Sequence, residues 1–65
     1  MKSYSSREII KLLEADGWYK VRTEGSHNHF RHPSKSGTTT VPHPKKDLPF
    51  KTVKSIFNQA GITDY

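Results

Sequence analysis

Residues 25 to 33 read GSHNHFRHP, with three histidines inside six residues, beside an arginine and a phenylalanine. Histidine titrates near neutral pH, so it can take or give a proton. RNA carries its own nucleophile, the 2′-hydroxyl. Its cleavage requires a base for that proton, an acid for the leaving oxygen, and positive charge on the phosphate. His27 and His29, near Arg22 and Arg31, are residue types that supply these parts. Neighbouring cations favour the neutral imidazole, which suits a base.

Metal binding is a competing use. His27 and His29 alternate, so both could reach one ion, with His32 or His43 as a third ligand. Strand parity turns His32 the other way, and Arg22 and Arg31 would repel a cation. The six carboxylates (Glu8, Glu14, Asp16, Glu24, Asp47, Asp64) are scattered along the chain, whereas a two-metal nuclease site needs them clustered. There are no cysteines, so there is neither a thiolate site nor a disulfide framework. The expectation is no metal and no cofactor. A third reading is plain polar surface. His32, before Pro33, reads as a strand-end or turn residue, and His43, between two prolines, as loop surface. Clustering sets His27 and His29 apart from these, but spacing alone does not separate the two.

The elements that must carry these residues are legible. SSRE from Ser5 is an S-x-x-E capping box, with Glu8 able to reach back to Ser5, and Tyr4 and Ile9 at the staple positions. Ile9, Ile10, Leu12 and Leu13 make an apolar helical stripe, and Gly17 ends the helix. The spacing predicts a helix from roughly Ser6 to Asp16. WYKVRTE then alternates, with Tyr19, Val21 and Thr23 on one side and Lys20 and Arg22 on the other, as in a half-buried strand. A turn at Gly25 leads to a second strand, HNHFRH, stopped by Pro33. Phe30 is its large apolar residue and must face the core. Parity then puts His27, His29 and Arg31 on the opposite face. TTTV is a short third strand closed by Pro42. A proline-rich loop, PHPKKDLP, precedes a second helix from roughly Pro49 to Ala60, whose stripe is Val53, Ile56, Phe57 and Ala60. Gly61 stops it, and Ile62 folds back.

The order is α-β-β-β-α. This α+β arrangement fits a three-stranded antiparallel sheet with both helices on one face. The other face stays open and carries Lys20, Arg22, His27, His29 and Arg31. A two-residue turn places Arg22 opposite His27 or His29. Net charge is +5, which favours a polyanionic partner. The hydrophobic fraction of 31% allows only a thin core, in one domain spanning residues 1–65. No apolar run suits a membrane span, and MKSYSSREII has no hydrophobic signal core, so the expected compartment is the cytoplasm.

Four stretches resemble the HicA family of toxins. GSHNHFRHP resembles its G-S-H-x-x-F-[RK]-H-P element, and VPHPKKDLP its proline-rich segment before the second helix. TVKSIFNQAGI is similar to its closing T-[LV]-x-S-I-x-x-Q-A-G helix, and LLEADGWYKVR to its opening helix and first strand. The resemblance covers nearly the whole chain, with the four motifs in order. One departure is Lys51, where many members have glycine. The resemblance implies a fold similar to a double-stranded RNA-binding domain. It implies a toxin of a type II toxin–antitoxin system, an endoribonuclease that cleaves messenger RNA and arrests growth. It implies a HicB-type antitoxin partner that covers the active site and links the pair to its DNA operator. The family's catalytic histidine, in G-S-H, maps onto His27; His29 falls at a variable position.

The resulting expectation is a metal-independent endoribonuclease. His27 acts as general base or acid, and His29 is a guess for its partner. Arg22, Arg31 and Lys20 bind phosphate, Lys45 and Lys46 extend the RNA track or are plain solvated charge, and Ser26 donates a hydrogen bond or completes the turn. Two alternatives stand beside it. One is a non-catalytic module for double-stranded RNA, which is read by shape and phosphate contacts. The other is a protein-interaction adaptor whose basic face meets an acidic partner.

Overall fold

A computed structural model describes residues 3–63. Helix α1 spans Ser6–Ala15, strand β1 Tyr19–Glu24, β2 His27–Arg31, β3 Thr39–Pro42, and helix α2 Phe50–Ala60. The sheet is antiparallel in the order β1-β2-β3, so β2 is central. Among the described residues, no helix is long and apolar enough to cross a membrane.

The helix starts and stops follow local chemistry. At α1 the Glu8 amide donates to Ser5 Oγ at 3.2 Å and the Ser5 amide to Glu8 Oε1 at 3.0 Å, a complete capping box. At α2 the chain leaves through Gly61 at φ 67°, and the Ile62 amide donates back to the Phe57 carbonyl at 2.9 Å. That left-handed exit is one a side chain would disfavour.

Both helices pack on one face of the sheet. Ile9 and Leu13 of α1, and Val53, Ile56, Phe57 and Ala60 of α2, close over Phe30 and Val41 of the strands. Trp18 and Leu48 seal the ends. Tyr4 meets Phe57 edge-on at 5.9 Å, and its carbonyl accepts from the Leu48 amide at 2.8 Å. The expected α1 stripe is too wide. Leu12 is 42% exposed, because the sheet is narrow and α1 turns only its Ile9–Leu13 edge inward.

Strand β1 departs furthest from expectation. All six of its residues are exposed, so it is not half-buried. It is an edge strand, and it carries a bulge. Lys20 pairs with Phe30 and Arg22 with His29, which leaves Val21 as the extra residue. The bulge resets parity. Lys20 lies across from core-facing Phe30, so it does not share a face with His27, contrary to simple alternation. Tyr19, Arg22 and Glu24 pair with Arg31, His29 and His27 and make up the open face. Thr23 joins the helix side, donating to Asn28 Oδ1 at 3.0 Å.

Candidate functional site

His27 opens strand β2. Gly25, at φ 57°, and Ser26 turn the chain from Glu24 into it. Buried Phe30 and Asn28 fix the strand's parity, so His27 emerges on the open face. Its cross-strand neighbours are Glu24 on β1 and Pro42 on β3. Among the described residues its ring has no hydrogen bond, and it is exposed. It is therefore available to a ligand.

A shallow cleft of about 270 Å³ lies beside it. One wall is His27, Thr40 and Pro42. The other is the polar flank of α2, namely Lys51, Thr52, Ser55 and Gln59. Gln59 explains how a helix from the covered face reaches the open one. Its Oε1 accepts from the Thr40 amide at 3.4 Å, so α2 is drawn along the outer edge of β3. Lys51, Ser55 and Gln59 are four residues apart and line one side of the helix. The apolar stripe of α2 assigns these positions no role. Lys51 alone stands out in the sequence, as a departure from the motif the chain resembles.

His29 occupies the same face but is used differently. Its Nδ1 is 3.0 Å from Thr40 Oγ1. Its Nε2 is 2.9 Å from Glu24 Oε1, without hydrogen-bond alignment. The side chain is 14% exposed. Both ring nitrogens are occupied or covered, so His29 offers a ligand little, whereas His27 offers a free ring. Glu24 also meets Arg22 Nε at 3.3 Å. Both partners are more than half exposed, so this contact contributes little to stability. It does place a carboxylate in the middle of the cationic face, which alternation alone did not show.

The remaining expected site residues fall in four places. Arg22 and Arg31 flank the histidines on the open face. Lys20 is across the sheet. Lys45 and Lys46 line a separate groove beside the start of α1. Ser26 serves the turn, its carbonyl accepting from the His43 amide at 2.8 Å. His32 is a structural residue. Its Nδ1 accepts from the amides of Ser34 and Lys35, both at 3.1 Å, so Nε2 carries the proton and donates to the Asp16 carbonyl at 2.7 Å. The ring also stands edge-on to Trp18, with centroids 5.3 Å apart. Among the described residues no three histidine or carboxylate groups are placed to hold a metal ion.

The fold and site define a small α+β domain that presents an unencumbered histidine within a cationic sheet face. The chain belongs to the HicA toxin family: the family description, HicA toxin of bacterial toxin-antitoxin, matches residues 6–62. It is thus a toxin of the toxin–antitoxin class. It is similar to a chain in the solved "Toxin-Antitoxin complex from Streptococcus pneumoniae", with 32% identity and a TM-score of 0.74. That match covers 89% of this chain and 97% of the other. No curated protein matches it.

Proposed function

We propose that this toxin is a metal-independent endoribonuclease that cleaves messenger RNA in the cytoplasm, with His27 as its catalytic residue. The observation that carries the proposal is the contrast among the four histidines. His29, His32 and His43 are each engaged by neighbouring side chains or backbone, whereas the ring of His27 is free and faces a polar cleft. His27 would take the 2′-hydroxyl proton or return one to the leaving oxygen. Arg22 and Arg31 on one side, and Lys51 across the cleft, would hold the phosphate and offset its developing charge. The partner would be a HicB-type antitoxin seated over this open face, linking the toxin indirectly to operator DNA.

The test is expression of wild type and His27→Ala from a tight promoter, with growth and cellular messenger RNA followed, and the purified proteins assayed on RNA in EDTA. Growth arrest and EDTA-resistant cleavage by wild type alone is the expected result. Equal cleavage by both proteins would remove His27 from the chemistry. RNA binding without cleavage by either would favour the double-stranded-RNA module, a reading that needs only the cationic face.

A further inference from the structure

A second concavity, about 480 Å³, is larger than the His27 cleft and has a separate lining. It is formed where the 43–46 loop folds against the first turn of α1. Arg7, Lys45 and Lys46 line it, and among the described residues no carboxylate does. Among the described residues none of these three cations has an ion pair. Its back wall is built rather than loose. Ser6 is 1% exposed, and its Oγ is 2.7 Å from His43 Nδ1, accepts from the Lys45 amide at 2.9 Å and lies 3.2 Å from the Lys45 carbonyl. The Ser6 amide donates to that same carbonyl at 2.9 Å. The serine thus fixes both the His43 ring and the backbone that carries the lysines. The α1 terminus itself is not the attraction, since the capping box and the Lys45 carbonyl already use the Glu8 and Ser6 amides.

The groove and the cleft are consecutive along the chain. Pro42 lines the cleft and His43 lines the groove. The His43 amide donates to the Ser26 carbonyl, one residue before His27. Both concavities are therefore lined from the same end of strands β2 and β3.

We propose that the groove of Arg7, Lys45, Lys46 and the Ser6-anchored His43 is a second phosphate subsite, holding the backbone of single-stranded RNA beyond the scissile nucleotide. This rests on the nuclease reading above. Arg7 supplies a planar, bidentate donor and the lysines supply point charge, a combination suited to a backbone phosphate. A basic groove that follows the strand makes affinity grow with RNA length. It would also fix which way the strand lies across His27, because the residues of the groove follow strand β3 at one end only.

The test measures the affinity of labelled single-stranded RNAs of two to twelve nucleotides by fluorescence anisotropy. The parent protein is His27→Ala, which does not consume the probe. It is compared with the same protein carrying Arg7→Gln, Lys45→Gln and Lys46→Gln, whose melting is checked first. Glutamine keeps the Lys45 backbone contacts, so the fold is expected to hold. A single Arg7→Gln variant, altering an exposed side chain alone, provides the check if the triple variant melts early. The expected result is equal affinity for the shortest RNA and about tenfold or greater loss for the longest. The salt slope should fall by roughly 2, at about 0.7 per phosphate contact on a single strand. Equal affinity at every length, with an unchanged slope, would overturn the groove while leaving the nuclease reading intact. No RNA binding by the parent at any length would overturn both. Loss confined to binding an acidic protein partner would assign the groove to that partner instead.

Discussion

His27 and His32 lie in the same GSHNHFRHP segment, at opposite ends of strand β2, and their surroundings differ in every respect that matters to a proton. The ring of His32 is saturated: two amides point at Nδ1, a carbonyl takes the Nε2 proton, and Trp18 covers one edge. Gly17 brings the backbone so close that a Cβ built there would sit 2.8 Å from His32 Nε2. Among the described residues the ring of His27 has no such partners, and it opens on a cleft lined by Lys51, Thr52, Ser55 and Gln59. Satisfying a buried or half-buried polar ring stabilises a fold, and leaving one unsatisfied keeps it chemically available. Three histidines in one motif therefore do not imply a shared task.

The sharpest test of that contrast is on activity. His27→Ala should lower RNA cleavage by about 10²- to 10⁴-fold, the usual range for a lost acid or base, with the melting temperature nearly unchanged. Loss of the cooperative melting transition in this variant would show that His27 is structural after all. His32→Ala should do the reverse. It strands the Ser34 and Lys35 amides and the Asp16 carbonyl, so denaturant titration should show a loss of about 1 to 3 kcal/mol. Cleavage per folded molecule should stay within twofold of wild type. Next in size is Glu24→Gln, which removes the carboxylate from the cationic face. RNA should bind a few-fold more tightly at low salt; weaker binding would mean that Glu24 holds Arg22 and His29 in a geometry the RNA requires.

The smallest effect lies in the His32 region. Lys35 donates to Asp16 Oδ2 at 2.6 Å, and that hydrogen bond, helped by the lysine's charge, holds the Asp16 carboxyl below the usual range. A depressed carboxyl adds stability that is fully present above its unfolded value of about 3.9 and fades as pH falls through the folded value. Asp16→Asn should therefore cost about 0.5 kcal/mol at pH 7, given that both partners are about a third exposed, and this gap from wild type should narrow in melts as pH falls through the folded value. A gap that does not narrow in acid would assign the effect to packing instead of charge.

Much of the frame could be read from local sequence because its causes are local. The capping box at Ser5 and Glu8, the Gly61 exit and the parity set by Phe30 each depend on residues within a few positions, and all three stand as expected. What escaped depends on distant partners. The β1 bulge at Val21 has no glycine or proline to announce it, so Lys20 was placed on the wrong face. The second wall of the cleft arises only when α2 lies against the edge of β3, which no helical period of α2 can reveal. His43 read as loop surface because its partner, Ser6, is 37 residues away.

The position of β2 between its two neighbours has a consequence for control. The strand that carries His27 is hydrogen-bonded along both edges, and Phe30 anchors its covered side in the core. Its backbone amides cannot be released by fraying, as those of an edge strand can, and their hydrogen exchange should follow global unfolding. Under the function proposed above, a catalytic histidine on so confined a strand would have little means of switching itself off by a change of shape. Restraint would then come from something that occludes the face, and would last only as long as that cover stays bound.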